Sequence, residues 1–265
     1  MEKCRIIAIA NQKGGVGKTT TTCNLGSALA GMGKKVLLID FDPQANLTMN
    51  FGVERPGDLA MTIQNILSLI MEGGDLPDKD EYILRGNRLD IIPCNMNLFA
   101  AELNLRNEMG SEQILKELLE PLRPYYEYIL IDTTPSLGML TINALAACDD
   151  VIIPVSPQLW SATGLEELVQ TISKMKKRKI NAQVNIMGIL LTICDERTKL
   201  FRAAKEYLEE FSGGRIKIFD THIPGTVKVG EANYESKSIL EFAAESKAAR
   251  AYTAFAEEVL NYGRE

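Results

Sequence analysis

A single histidine stands in the 265 residues, and the five cysteines, Cys4, Cys23, Cys94, Cys148 and Cys194, lie far apart with no C-x-x-C pair among them. That scarcity excludes a zinc site of clustered His and Cys ligands, and an odd, dispersed set of thiols points to buried free cysteines rather than a disulfide framework. No apolar run approaches the roughly 20 residues a bilayer span needs, and the first short one breaks at Asn11, so neither a spanning helix nor a signal peptide is expected. Positive charge is not in excess either: 29 Lys and Arg against 35 Asp and Glu give a formal net charge of -6. A body coated in nucleic-acid-binding surface is thereby excluded, leaving room for a local basic patch. The expected location is the cytoplasm. Internal repeats, low-complexity tracts and linkers are missing too. With 46% hydrophobic and 24% charged residues supplying a substantial core, one domain over residues 1–265 is expected, with no helix-turn-helix ahead of the first strand.

Short, β-branched apolar segments alternate with longer ones of helical period. The pattern predicts strands at residues 5–10, 35–39, 89–92, 128–131, 150–155, 185–193 and 217–219. Helices are predicted at 19–32, 62–71, 98–109, 111–122, 139–147, 163–177, 200–211 and 245–262, with Ser111 as an N-cap after Gly110. Leu165, Leu168, Val169, Ile172 and Met175 form one apolar stripe on the helix at 163–177. Runs such as Val36-Leu37-Leu38-Ile39 are apolar throughout, as strands covered on both faces are. The fold class expected is α/β, a mostly parallel twisted sheet with helices on both sides, and the glycine-rich Lys13 to Thr20 loop between the first strand and the first helix makes the expected class that of a P-loop NTPase.

The strongest motif is Lys13-Gly14-Gly15-Val16-Gly17-Lys18-Thr19-Thr20, set between the first strand and the first helix. Glycines there let the backbone take positive φ, so that N–H groups converge on phosphate oxygens beside the positive end of the helix dipole. Lys18 would reach the β and γ phosphates, and the Thr19 hydroxyl would bind Mg2+. The ordinary motif needs glycine at position 12, where this chain has Gln12; the glycines move to 14 and 15 and an additional lysine precedes them.

Two strands end in acids: Leu37-Leu38-Ile39-Asp40-Phe41-Asp42-Pro43 and Ile129-Leu130-Ile131-Asp132-Thr133-Thr134-Pro135. Carboxylates at the carboxyl edge of a parallel sheet, next to a phosphate loop, hold a metal ion or orient water. Asp132 reads as the Walker B acid, with Asp40 and Asp42 near the metal. The competing reading, that strand-end acids cap the next turn, suits Asp42-Pro43 as well.

The loop is a deviant Walker A, K-G-G-x-G-K-T-[ST], and with Asp42-Pro43-Gln44-Ala45-Asn46, Pro135-Ser136-Leu137-Gly138 and Val151-Ile152-Ile153-Pro154-Val155 the chain resembles the ParA/Soj partition ATPases over nearly its whole length. The resemblance implies ATP and Mg2+ as ligands and a homodimer formed on ATP binding, with Lys13 reaching across to the partner's phosphates. It implies that Asp42 orients the attacking water and that Asp40 and Asp132 serve the metal. Pro224 would join Lys13 to Thr20 in holding the nucleotide. Asp195-Glu196-Arg197-Thr198-Lys199-Leu200 is similar to a D-x-R-T-x-L stretch whose arginine contacts DNA nonspecifically, which assigns that role to Arg197, and Lys228 keeps a cation where relatives have a second arginine. A ParB-like partner that stimulates slow hydrolysis, and nucleoid association, are implied as well. Two departures stand out. Thr134 replaces a proline, which predicts a less rigid turn, and Gly225-Thr226 replace an arginine and an asparagine in the base-contacting loop.

Other readings carry their own signatures. A MinD-like membrane switch calls for a basic amphipathic C-terminus, whereas this chain ends Phe255-Ala256-Glu257-Glu258-Val259-Leu260-Asn261-Tyr262-Gly263-Arg264-Glu265, which is acidic, so no membrane partner is expected. An iron–sulfur ATPase like nitrogenase reductase needs cysteines at motif positions that Cys94 and Cys148 do not occupy. A positioning ATPase for a protein cargo or mobile element shares every motif. The run Lys174, Lys176-Lys177-Arg178-Lys179 is expected to complement a helix C-terminus rather than bind DNA, and His222 to be structural.

Overall fold

A computed structural model describes residues 4–106, 108, 110–158 and 162–263. The order is β1 (Arg5–Ile9), α1 (Lys18–Gly31), β2 (Val36–Phe41), α2 (Asn46–Asn50), α3 (Ile63–Met71), β3 (Leu89–Ile92), α4 (Leu98–Leu105), α5 (Ile114–Leu119), β4 (Tyr128–Thr133), α6 (Met139–Ala147), β5 (Asp150–Val155), α7 (Ala162–Lys177), β6 (Asn185–Leu191), α8 (Lys199–Ser212), α9 (Val227–Tyr234), α10 (Ile239–Phe242) and α11 (Lys247–Asn261). The strands form one sheet in the order β3-β2-β4-β1-β5-β6. Every pairing between them is parallel.

Neighbouring residues on each strand serve opposite faces. Leu37, Ile39, Ile129, Ile131, Val151 and Ile153 join one core with α3 to α8, while Val36, Leu38, Leu130 and Ile152 join the other with α1 and α9 to α11. That division is why these strands read as continuous apolar runs. On the second face α1 lies close to the sheet, and a Cβ added at Gly26 would meet Leu38 Cδ2 at 2.7 Å. The stripe expected on α7 is buried at Leu165, Leu168, Ile172 and Met175.

Four expectations are revised. Residues 217–219 are not a strand: they make only an isolated bridge, Ile189 to Ile218. Phe219 packs over Gly188, where a Cβ would come within 2.8 Å of its ring, and the next two N–H groups, of Asp220 and Thr221, turn away to Glu258. The segment at 111–122 divides into a 3-10 turn at Ser111–Gln113, α5, and a second 3-10 stretch at Glu120–Tyr125 that carries Pro121 and Pro124, prolines having no N–H to continue an α-helix. The cap before Ser111 is Gly110, in the left-handed region at φ 74. The helix expected to reach Met109 is described as far as Leu105, and Met109 itself lies outside the described residues.

Among the described residues no helix is long and apolar enough to cross a membrane. The apolar face of α11 is engaged internally, with Tyr252, Phe255, Ala256 and Val259 buried in the core.

Candidate nucleotide site

The phosphate loop leaves the end of β1 and enters α1 at Lys18. Gly15 and Gly17 take φ of 74 and 82, the left-handed region that favours glycine, and a Cβ added at Gly14 would meet nothing within 4 Å. The backbone along this stretch is therefore open to close approach by a bound group. Side chains beside the loop, on α1 and just past β6 brace it. Asn11 Nδ2 donates to Pro154 O at 2.8 Å and Asn11 Oδ1 accepts the Lys13 N–H at 2.9 Å. Thr192 Oγ1 donates to Val16 O at 2.8 Å, and Asn24 Nδ2 donates to Thr20 O at 2.8 Å.

The two lysines of the loop differ in kind. Lys18 is buried, and its Nζ donates to Lys13 O at 3.1 Å. Burial pulls its pKa down, against the nearby carboxylates of Asp132 and Asp42, which pull it up. Lys13 is exposed.

Parallel pairing places the acids. Asp132 of β4 lies opposite Ile9 of β1 on one side and Asp40 of β2 on the other, so both carboxyls stand at the level where the loop begins. The two Asp132 oxygens are sealed from solvent and have no hydrogen-bond partner among the described residues. Burial first, and the Asp40 charge second, push its pKa well above the ordinary carboxylate value. The Thr19 hydroxyl, close by but outside hydrogen-bond geometry, and the Lys18 ammonium offset part of this. Asp40 is also pushed up by burial, to about 6, yet its oxygens are engaged. Oδ2 accepts the Thr48 N–H at 2.8 Å and the Thr48 hydroxyl at 2.6 Å, and Oδ1 accepts the Asp42 N–H at 3.3 Å. The Thr48 hydroxyl in turn accepts the Cys94 N–H at 2.9 Å, strapping the end of β2 to the end of β3. Asp42, 8% exposed, accepts the Gln44 N–H at 3.0 Å and is raised chiefly by burial. It caps its own turn and also lines the site.

Among the described residues no cluster of three or more His, Cys, Asp or Glu could hold an ion unaided. Asp132 with the Thr19 hydroxyl instead fits a small hard cation that takes its remaining oxygens from a phosphate and water. An unpartnered buried carboxylate is strongly destabilising, and this yields a prediction. Because the Asp40 and Asp132 pKa values are raised in the folded state, their stabilisation is complete below the unfolded value near 4 and is lost as pH rises through 6 and above. Asp132→Asn should therefore raise the melting temperature of ligand-free protein at pH 7.5, by about 2–4 °C per kcal/mol recovered, and raise it much less at pH 5. Scanning calorimetry at the two pH values checks this, and a loss of stability at both contradicts it.

The turn after Asp132 is laced despite Thr134 standing where proline was expected. Thr133 Oγ1 donates to Ile9 O at 2.9 Å, Thr141 Oγ1 donates to Ser136 O at 2.6 Å, and Gly138 N donates to Ser136 Oγ at 3.3 Å. Pro224 bridges to Cys194 just beyond β6, and α9 starts three residues later. Arg197 and Lys228, the two cations expected to meet DNA, follow the two arms of that bridge and are exposed. Arg197 is paired with Asp195 through Nε and Nη2, each at 2.9 Å. The basic run at 174–179 sits at the last turn of α7 and beyond, where the chain returns to the opposite edge of the sheet to start β6.

Known proteins are similar to this chain over nearly its whole length. Residues 4–186 match a family model described as an AAA domain. The chain is 40% identical over 259 residues to the sporulation initiation inhibitor protein Soj of Bacillus subtilis (strain 168), covering 98% of this chain and 99% of that one. It is 37% identical over 267 residues to the chromosome partitioning protein ParA of Caulobacter vibrioides, with 98% and 96% covered. Among solved structures, cobyrinic acid a,c-diamide synthase of Mycobacterium smegmatis with bound ATP analogue and magnesium superposes with a TM-score of 0.81 at 32% identity, covering 99% of this chain and 96% of that one.

Proposed function

This chain belongs to the ParA/Soj family of P-loop ATPases, and from that premise we propose that it is an ATP-driven dimerising switch for the partition of plasmid or chromosomal DNA. The observation that carries the reading is the contrast between two lysines of one loop, a buried Lys18 turned onto its own cradle and an exposed Lys13 five residues earlier.

In this reading the N–H groups of Gly14, Gly15, Val16, Gly17, Thr19 and Thr20, with Lys18, hold the phosphates of ATP. Thr19 and Asp132 hold Mg2+, which when bound neutralises charge on the phosphate oxygens. Asp40, its oxygens already occupied, adds negative field and fixes Thr48. Asp42 orients the attacking water, so that ATP is hydrolysed to ADP and phosphate. Lys13 offers its ammonium to the γ phosphate held by a partner subunit, in the manner of an arginine finger, and Pro224 backs the base. The nucleotide thus favours the dimer, and hydrolysis removes the preference.

The ATP dimer binds DNA nonspecifically through Arg197 and Lys228 on the cytoplasmic nucleoid, and a ParB-like partner stimulates hydrolysis and release. The apolar face of α11 is spent on the core and is not free to lie on a membrane. Retention of the purified protein on DNA, with ATP, ADP or no nucleotide, tests the reading. Retention should require ATP, and Arg197→Ala should weaken it alike for every sequence and lower the salt slope by about one for each DNA phosphate no longer neutralised. Wild-type-like retention by Arg197→Ala at every salt concentration would remove Arg197 from the surface.

A further inference from the structure

The loop that carries Arg197 and the segment that carries Pro224 are distant in sequence yet laced together. The Cys194 N–H donates to Ile223 O at 2.9 Å, and the Gly225 N–H donates to Cys194 O at 3.0 Å. Beside this bridge His222 Nδ1 lies 3.0 Å from Glu196 Oε1, and its ring meets Phe201 of α8 edge-on with centroids 5.0 Å apart. The imidazole is 13% exposed and the Glu196 side chain 65%. Behind it, Glu258 of α11 accepts the Asp220 and Thr221 N–H groups at 3.1 and 2.8 Å, so the segment is anchored at both ends.

The other end of the Arg197 loop is tied to the phosphate cradle. Thr192, which bonds Val16 O, is followed directly by Ile193 at φ 55. A β-branched residue in the left-handed region is strained and persists only where its surroundings over-determine it. Those surroundings include the 225 position, where a Cβ would sit 3.3 Å from Ile193 Cγ2. One short stretch, Thr192 to Arg197, is therefore held by the phosphate loop at its start and by the Pro224 segment along its length.

We propose that His222 and Glu196 are a positioning pair that locks the DNA-facing loop to the nucleotide-facing segment, so that the state of the cradle sets the placement of Arg197. The proposal rests on the partition reading above and adds to it the residues that couple the two ligands. The Thr192 bond passes a change at the loop into the strained Ile193, and the pair makes the Asp195–Arg197 turn follow the Pro224 segment rather than swing free.

The test uses the full chain and four variants: His222→Ala, Glu196→Ala, the double variant, and His222→Gln, whose amide still donates to Glu196. Binding of a fluorescent ATP analogue and ATP-induced dimerisation should stay at the wild-type level in all of them. The ratio of DNA affinity with ATP to that with ADP should fall about tenfold in His222→Ala and in Glu196→Ala, within the range usual for coupled sites. The double variant should lose no more than either single one, and His222→Gln should recover most of the ratio. Wild-type ratios in the single variants, or loss of ATP-induced dimers along with the ratio, would overturn the proposal, the latter by marking the pair as merely structural. Glu196→Ala, a change at an exposed side chain, keeps the question answerable should His222→Ala unfold. If the wild type itself shows no ATP-dependent retention, the partition reading fails and the pair's role falls with it. If the wild type shows it and the variants match, the pair alone is wrong.

Discussion

Replacing Lys13 with alanine is expected to abolish ATP-induced dimerisation while the single chain binds ATP within a few fold of wild type. The structural duties of residue 13 belong to its main chain: its N–H meets Asn11 Oδ1 and its carbonyl accepts from Lys18 Nζ. Alanine keeps both, so the substitution removes an exposed ammonium and little else. A cation supplied across a subunit boundary contributes on the order of 10³–10⁵ in rate in comparable phosphoryl-transfer enzymes, and hydrolysis should fall toward that extent. Sedimentation with ATP, paired with phosphate-release kinetics, checks both halves. A Lys13→Ala dimer as stable as wild type would move the trans contact to another residue.

Asp42→Ala should give the opposite partition of effects, in which dimers form and persist on DNA while hydrolysis falls by about 10²–10⁴, the usual worth of a positioned acid–base group. Asp42 also accepts the Gln44 N–H, so alanine loses a turn bond as well as a charge. Asp42→Asn separates the two, because its side-chain oxygen can still accept that N–H. If the negative charge of the carboxylate is what holds and polarises the water, Asn should be nearly as slow as Ala, and single-turnover assays on preformed dimers read this without interference from assembly. An Ala variant with wild-type turnover would take the water-orienting role away from Asp42, and an Asn variant with wild-type turnover would show that the charge is not needed for it.

Much of this was legible in the sequence because it is local. The phosphate loop is contiguous, and the strands that flank it are apolar on both faces, so the parallel sheet and the stations at Asp40, Asp42 and Asp132 follow from short windows. Less legible were the braces. Thr192 bonds a carbonyl 176 residues away and Thr48 links two strand ends, and neither threonine stands in a pattern that distinguishes it from a surface hydroxyl. Asp40 read as a metal acid from its place at the end of a strand, and only the fold reveals that Thr48 occupies it. The helix at Val227–Tyr234 is not legible in the sequence because Val227, Val229 and Gly230 are poor helix formers, and the Thr226 cap, which accepts the Lys228 N–H, outweighs them. The strand expected at 217–219 failed for a tertiary reason, the capture of its continuation by Glu258.

The direct measurement is sedimentation equilibrium of the wild-type chain with magnesium and a nonhydrolysable triphosphate, compared with magnesium and ADP. A mass that doubles with the triphosphate alone is the result expected of a nucleotide clasped between two copies. A monomer at saturating triphosphate, shown to be bound, would contradict the account at its root.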